Sequence, residues 1–419
     1  MLIPSIDLMG GKAVQLRQGK TKILERSDVF ELLEEFSVFG EVAVIDLDAA
    51  LGEGDNRELI KQLLKRKSFR VGGGIRDLEV AREYLKAGAS KIILGSCCQE
   101  KWVQSLDKNR LIFAIDAKGD YWSTKGWTEV SAIRVLDLIP QLEPSCSEFL
   151  YTQIENEGML QGIDHERIEQ VNQLSKIPIT VAGGISTLDD TAWISQKGCH
   201  AQIGMSIYQG KINLVDAFKS QCDFEKSSLV PTIVQDANTD KILMLAYSSQ
   251  ESLTQALAQK SGIYYSRSRQ QLWKKGETSG NTQTLVQADV DCDGDSIIFR
   301  VIQNASEDNP KQPFACHFDR YSCFPAQIPA FSLNRLSSLL TDRLANRPLN
   351  SFTTQLFASP SLRAEKITEE GQELIEAETF EEVRWEAADL LYFTLVDAKA
   401  KGVDIQDIVN ELGSRFNDN

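Results

Sequence analysis

An internal repeat limits how this chain can fold more than any other feature. Asp7 and Asp116 lie 109 positions apart. Gly73 of Gly72-Gly-Gly-Ile-Arg76 and Gly183 of Ala182-Gly-Gly-Ile-Ser186 lie 110 apart, and Gly95 and Gly204 lie 109 apart. Over the same stretch, short β-branched runs at 41–46, 91–95, 111–116 and 177–182 alternate with amphipathic helical segments, the pattern of βα units and a parallel sheet. Two similar halves of four units predict an α/β fold over residues 1–223, a TIM-like (β/α)8 barrel. In such a barrel chemistry sits at the C-terminal strand ends, so Asp7 and Asp116, each closing an apolar run, are predicted to face the mouth as a general acid and base. Gly-rich turns let backbone N–H groups approach a phosphate closely. Gly73, Gly74, Arg76, Gly95, Gly183, Gly184 and Gly204 are therefore read as phosphate-binding, and their doubling implies a ligand phosphorylated at both ends. Taken singly, a Gly-Gly-Ile turn is equally a tight βα connection.

At 419 residues the chain as a whole is too long for one core and predicts two to four domains. The polar stretch 220–228 reads as a linker, and the prolines at 325–329 mark a second boundary. Between them, at 229–328, strand-like runs predict a small mainly-β domain; from 332 to 419 helical periodicity predicts an all-α module. A net charge of −15 excludes polynucleotide partners, which need clustered Lys and Arg. No run approaches the roughly 20 apolar residues of a membrane span. The first residues lack a basic region and reach an acid at Asp7, which predicts no secretory signal. Eight cysteines then imply a reducing, cytoplasmic setting in which thiols are buried, catalytic or metal ligands.

Two clusters suggest metals. Asp291-Cys-Asp-Gly-Asp295 packs three carboxylates and a thiol into five residues, and Cys316-His317 with Cys323 supplies two more thiols. Soft thiolates select zinc and carboxylates magnesium, so Cys292, Cys316 and Cys323 are read as zinc ligands and Asp291, Asp293 and Asp295 as magnesium ligands. Three thiols leave a tetrahedral ion one position short, the arrangement that holds a water for attack. His317 is the candidate proton shuttle or an orienting neighbour. Arg267, Arg269 and Lys274 are phosphate-binding candidates, whereas Trp273 reads first as core. In isolation, Asp-x-Asp-x-Asp is also a common turn or weak calcium loop. In the helical module, Glu370 with Glu373 and Glu386 with Asp389 are spaced to share helix faces, and Glu369 stands beside them. These five carboxylates are read as a magnesium cluster, with a solvated acidic surface as the alternative. Glu386 and Asp389 stand among Trp385, Ala387, Ala388, Leu390, Leu391 and Tyr392, which predicts an apolar setting.

With these motifs in hand, residues 1 to about 220 resemble the phosphoribosylformimino-aminoimidazole-carboxamide ribotide isomerase of histidine biosynthesis. The resemblance rests on Ile3-Pro-Ser-Ile-Asp-Leu8, Val44-Ile-Asp-Leu-Asp-Ala49, Val71-Gly-Gly-Gly-Ile-Arg76, Ile115-Asp116, Lys125-Gly-Trp127 and Ala182-Gly-Gly-Ile-Ser186. It implies an Amadori rearrangement with Asp7 as base and Asp116 as acid. The chain departs at Thr152-Gln-Ile-Glu-Asn-Glu-Gly-Met159, where the family reads close to Thr-Asp-Ile-x-Arg-Asp-Gly-Thr. Glu157 keeps a carboxylate there, while Asn156 loses a positive charge and Met159 a hydroxyl. Residues 229–324 resemble phosphoribosyl-AMP cyclohydrolase through Tyr265-Ser-Arg-Ser-Arg269, Leu272-Trp-Lys-Lys-Gly-Glu-Thr-Ser-Gly-Asn281, the Asp291–Asp295 run and both cysteine motifs. This implies the zinc and magnesium sets above, a site shared across a dimer, and water attack at C6 of the adenine ring. The segment 304–311 reads as a surface insertion. Residues from about 336 to 416 resemble phosphoribosyl-ATP pyrophosphohydrolase through Ser351-Phe-Thr-Thr-Gln-Leu356 and Glu386-Ala-Ala-Asp-Leu-Leu-Tyr392, with Phe393 where bacterial members often carry histidine. Together the resemblances imply a cytoplasmic fused enzyme, a homodimer through its last two domains, acting on phosphoribosyl nucleotides in consecutive steps. The rival reading keeps the two hydrolases and makes the barrel a non-catalytic binding or assembly domain.

Overall fold

The computed structural model of the chain describes residues 1–416 apart from 18, 20, 125, 308, 310–312 and 328–330. Lys125 of the isomerase-like motif, part of the 304–311 segment and part of the proline boundary thus lie outside the described residues. The strands of the first segment are β1 (Leu2–Met9), β2 (Lys12–Arg17), β3 (Thr21–Arg26), β4 (Ala43–Asp46), β5 (Arg70–Gly72), β6 (Lys91–Leu94), β7 (Leu111–Lys118), β8 (Tyr121–Thr124), β9 (Glu129–Arg134), β10 (Glu148–Gln153), β11 (Ile179–Ala182) and β12 (His200–Ile203). Eight of them, β1, β4, β5, β6, β7, β10, β11 and β12, pair in parallel around a closed ring, the last returning to the first. This is the predicted barrel. The repeat is visible in its decoration: β1 and β7 each continue into an antiparallel hairpin, with Asp7 opposite Val14 and Asp116 opposite Ser123, the same offset in both halves.

Side-chain alternation explains which residues reach the interior. Ile112, Ala114 and Leu150 pack inside the barrel with Ile93, Ala182 and Ile45, while Leu111, Phe113 and Ile115 face the surrounding helices. Continuing the period of two places Asp116 on the inner side, one step beyond Ala114, at the end of the strand. The helices supply the outer layer: Arg57–Leu64 buries Ile60, Leu63 and Leu64, and Leu78–Lys86 buries Val80, Ala81 and Tyr84 behind an N-cap at Asp77. Near the N-terminal strand ends, Arg70 (2% exposed) pairs with Glu41 and with Glu148 (1% exposed), which also takes Lys91 at 2.9 Å. Burial opposes ionisation of Glu148, yet His200, Arg70 and Lys91 together hold its carboxyl well below the usual range. Charge fills that end, and the opposite end carries the open mouth.

The central segment forms a four-stranded sheet in the order β14 (Ile242–Ser248), β13 (Val230–Asp236), β18 (Ile297–Gln303), β17 (Gln283–Val290), with a separate hairpin of β15 (Ile263–Ser266) and β16 (Gln271–Lys274). Helix Gln250–Gln259, with a capping box at Ser249, buries Leu253, Ala256 and Leu257. The barrel and this sheet belong to one compact unit, Met1–Ile328. The stretch 220–228 differs from the simple linker read from its polarity. Gln221 and Cys222 are buried and Asp223 donates its N–H to Gly294 O at 2.7 Å, so only residues 225–228 are exposed. The second unit, Pro329–Phe416, consists of helices Leu333–Asn346, Phe352–Ala358, Pro360–Glu376, Phe380–Ala400 and Ile405–Phe416 around Leu336, Leu340, Leu356, Phe393, Leu395, Val396 and Ile405. Inside it, the buried Arg363 guanidinium joins Asp397 at 2.8 Å and donates to Leu356 O at 2.7 Å. Among the described residues, no helix is long and apolar enough to cross a membrane.

Candidate active sites

The barrel mouth gathers three carboxyl groups. Burial pushes Asp7 up to about 7 against a hydrogen bond from Ser5, and pushes Asp116 up to about 6 against hydrogen bonds from Trp127 and Thr152. Glu157 is pushed up to about 8, first by burial and then by the charges of Asp7 and Asp116, so the departing loop still presents a carboxyl to the same mouth. All three keep part of their surface open to solvent. At neutral pH Glu157 keeps most of its proton, Asp7 is about half ionised and Asp116 mostly ionised, so the mouth holds a proton donor beside proton acceptors, as a site that both removes and returns a proton requires. Sequence reasoning named Asp7 and Asp116 but not the supports Ser5, Trp127 and Thr152. Of these, Ser5 and Thr152 were readable as the inward neighbours in their strands.

The loop that departs from the resembled family is braced by its own substitutions. Gln153 Oε1 accepts from Asn156 Nδ2 at 3.2 Å and from Asp164 N at 3.1 Å. Each glycine pair packs against the end of the preceding strand: a Cβ on Gly183 would stand 2.7 Å from Gln153 O, and one on Gly73 would stand 2.2 Å from Asp46 O. Both residues have positive φ, and both therefore must be glycine for packing alone. Each pair is followed by a capped helix, at Asp77 and at Thr187. Arg76 is exposed and donates to Ala50 O at 2.9 Å. Gly204 sits against Gln15 and Ser5; a Cβ there would meet Gln15 Oε1 at 2.9 Å and Ser5 Oγ at 3.0 Å. Gln15 Nε2 and Ser206 Oγ are buried without a hydrogen-bond partner among the described residues, a polar floor that suits an anion. Gly95 has open space around it.

A stability prediction follows from the raised carboxyls. A carboxyl bound more tightly to its proton in the folded state favours folding below its ordinary affinity near pH 4, and that contribution disappears as the pH rises through the folded value near 6 to 8. Asp7→Asn removes the cost of charging the site. The variant is expected to unfold like the parent at pH 4.5 and to be more stable by on the order of 1–3 kcal/mol at pH 8, read from denaturant midpoints at both pH values. Equal midpoints at pH 8 would contradict the burial of this charge.

In the central sheet the β17–β18 connection is the acidic loop. Asp291 N donates to Ser296 O at 3.1 Å, and Asp291, Asp293 and Asp295 place carboxylate oxygens within 4.8 Å of one another. A second turn, closed by Ala315 N to Tyr321 O at 3.2 Å and Cys316 N to Arg320 O at 3.0 Å, sets Cys316 beside Cys323. Burial and the adjacent Cys316 push the Cys323 thiol up to about 11, while Lys275 draws it the other way. Lys275 is buried, its Nζ 3.5 Å from Phe314 O. The sequence pointed instead to its neighbour Lys274, which is exposed. Cys292 is exposed on the acidic loop and does not join the two thiols among the described residues of one chain. His317 is exposed and stacks on Phe318 at 4.0 Å. Arg267 lies over the Tyr247 ring at 3.7 Å and Arg269 over Trp273 at 5.8 Å, while Trp273 packs against the core. Paired thiols fit a soft ion, and the clustered carboxylates a hard one.

In the helical unit Glu370, Glu373 and Glu386 bring carboxylate oxygens within 4.8 Å of one another across the packed helices Pro360–Glu376 and Phe380–Ala400. Glu370 is raised by burial and then by Asp389, which places Asp389 at the edge of the cluster. Glu386 is raised by partial desolvation and then by Glu373. Glu369 stands apart, paired with Lys366 at 2.6 Å. The apolar surroundings expected of Glu386 and Asp389 differ from those observed: Trp385 is 67% and Phe380 77% exposed, because among the described residues nothing in this unit covers the first half of that helix. Converging carboxylates of this kind fit a divalent cation.

Residues 1–213 match the family described as histidine biosynthesis protein. The chain belongs to the histidine biosynthesis protein family. Beyond that barrel, residues 244–325 match the phosphoribosyl-AMP cyclohydrolase family and residues 333–416 the phosphoribosyl-ATP pyrophosphohydrolase family. The chain thus carries isomerase, cyclohydrolase and pyrophosphohydrolase domains, and the two hydrolase families commonly use metal ions. It is 34% identical over 232 residues to an imidazole-4-carboxamide isomerase of Methanocaldococcus jannaschii whose substrate name carries two phosphoribosyl groups. That match covers 52% of this chain and 98% of the relative. A histidine biosynthesis bifunctional protein of Bacillus subtilis is 38% identical over 206 residues, 46% of this chain and 95% of the relative. A histidine biosynthesis trifunctional protein of Neurospora crassa is 36% identical over 256 residues, but the aligned part is 61% of this chain and only 26% of that protein.

Proposed function

We propose that this chain catalyses three consecutive reactions of histidine biosynthesis, with domains at 1–223, 229–328 and 332–419. The helical domain hydrolyses phosphoribosyl-ATP to phosphoribosyl-AMP and pyrophosphate, the central domain opens the adenine ring, and the barrel isomerises the resulting ribotide. The observation that carries this reading is that each matched segment gathers a separate set of side chains suited to its own step. In the barrel, Asp7 takes the proton from the sugar carbon, Asp116 in its protonated minority form is the acid toward the opening ring oxygen, and Glu157, which keeps its proton at neutral pH, supplies the proton that the shifting double bond requires. The glycine turns at Gly73–Gly74, Gly95, Gly183–Gly184 and Gly204, with Gln15 and Ser206, hold the two terminal phosphates. In the central domain, Cys316 and Cys323 with Cys292 hold zinc, Asp291, Asp293 and Asp295 hold magnesium, and Arg267, Arg269 and Lys274 bind the phosphoribosyl group. His317 moves the proton of the attacking water. In the helical domain, Glu370, Glu373 and Glu386 with Asp389 at their edge hold magnesium, while Glu369, paired with Lys366, borders the site. When bound, these ions supply Lewis acidity that makes water nucleophilic and charge that steadies phosphate oxygens.

The separation of Cys292 from the other two thiols supports a zinc site completed by a second copy of the chain. The exposed apolar residues Phe380, Trp385 and Leu391 in the helical unit, and Leu245, Phe318 and Phe324 in the central one, support a homodimer through these two domains. The free cysteines support a cytoplasmic location.

Glu373→Gln tests the assignment of the helical domain. Pyrophosphate release from phosphoribosyl-ATP is expected to fall by about 10²-fold or more, with ring opening of supplied phosphoribosyl-AMP unchanged. Parallel loss of both rates, or loss of neither, would remove this domain from the scheme.

A further inference from the structure

The segment joining barrel to central sheet does more than connect them. Asp223 donates its N–H to Gly294 O at 2.7 Å, and its own carboxylate accepts from Lys226 N at 2.9 Å. A single residue therefore grips the acidic loop and folds the turn that carries Lys226. Gly294 has φ +79° and leaves no room for a side chain, a Cβ there standing 2.5 Å from Gln221 O. Cys222 beside it is buried. The product of this arrangement is an ammonium on the loop: Lys226 Nζ lies 2.6 Å from Asp295 Oδ2. Asp295 is one of three carboxylates whose oxygens converge within 4.8 Å, a grouping that repels itself unless a cation intervenes.

The geometry points to Lys226 as a tethered counter-ion that caps the acidic loop when no divalent ion is bound and competes with that ion for Asp295. This rests on the proposed reading of the loop as a metal site. It makes the barrel's tail a positioning element of the neighbouring active site: Asp223 and Gly294 fix where the ammonium stands, and the strength of the pair sets how readily the loop takes a cation. A pair this exposed is weak, and its loss corresponds to an affinity change of about 1.5- to 5-fold. Salt weakens such a pair, so the difference shrinks as ionic strength rises.

Manganese titrated into the full-length chain and followed by electron paramagnetic resonance tests this, with Glu370→Gln and Glu373→Gln present throughout to silence the helical cluster. In that background Lys226→Met is expected to bind manganese about 1.5- to 5-fold more tightly at low salt, and Lys226→Arg to bind as the parent does. Equal or weaker binding by Lys226→Met overturns the role of Lys226. A further pair, Asp291→Asn and Asp293→Asn, separates the two layers. If manganese binding does not depend on them, the metal-loop reading itself fails, whatever Lys226 does.

Discussion

Cys316→Ser is expected to abolish ring opening of phosphoribosyl-AMP, with a fall of at least about 10²-fold, and to strip tightly held zinc from the purified chain. Even neighbours of a metal ligand change affinity or activity by about 10- to 100-fold when altered, and a direct ligand does more. The geometry is specific to this pair: the hairpin closed by Ala315 and Tyr321 holds Cys316 next to Cys323, and serine there offers a hard, protonated oxygen where the site needs a soft thiolate. Zinc content by mass spectrometry and the ring-opening rate should fall together, while pyrophosphate release and isomerisation persist. Cys292→Ser is expected to give the same loss although its thiol is remote within one chain. Mixing Cys292→Ser with Cys316→Ser subunits should then restore part of the activity, because in a mixed dimer one of the two shared sites regains all its thiols. Failure of every mixture to recover would argue that the third ligand is not Cys292 of a second copy.

Asp7→Asn is expected to lower isomerisation by about 10²- to 10⁴-fold, the usual contribution of a positioned acid or base. The asparagine keeps the shape of the site and removes its proton acceptor, so substrate binding should change far less than turnover. The parent enzyme's turnover should rise with pH as Asp7, near 7, loses its proton, and fall again as Glu157, near 8, loses its own. In Glu157→Gln the descending limb is expected to move or vanish. A profile that stays flat from pH 5.5 to 9 in the parent would contradict a proton cycle among these carboxyls.

Much of this architecture was legible because periodicity is a direct record of burial. The half-barrel repeat read from Asp7, Asp116 and the glycines reappears as two strand-plus-hairpin units with the same register. The inward series Ile112, Ala114, Asp116 follows from alternation alone. Local spacing likewise placed Glu370 and Glu373 on one helix face. What remained hidden depends on long-range geometry. Spacing did not separate Glu369, which pairs with Lys366 outside the cluster, from Glu370, which meets Lys366 at 3.7 Å and also joins Glu373 and Glu386. Nor did it tell the buried Lys275 from the exposed Lys274, or show that Cys292 stands apart from the other thiols. The glycine turns carried two meanings at once, and the structure supplies the steric one. Gly73 and Gly183 are required by neighbouring loops whatever ligand lies beyond them. Helix Phe380–Ala400 shows the reverse problem: its apolar residues imply burial, but Phe380, Val383, Trp385 and Leu391 are exposed.

The most direct test of a three-step enzyme is the fate of phosphoribosyl-ATP incubated with the purified full-length chain, zinc and magnesium, with products separated by liquid chromatography and identified by mass. The account predicts release of pyrophosphate, gain of one water on ring opening, and conversion of that ribotide into an isomer of identical mass but different retention, in that order. Accumulation of the unrearranged ribotide as the final product would contradict it and leave the barrel as a binding or assembly domain beside two working hydrolases.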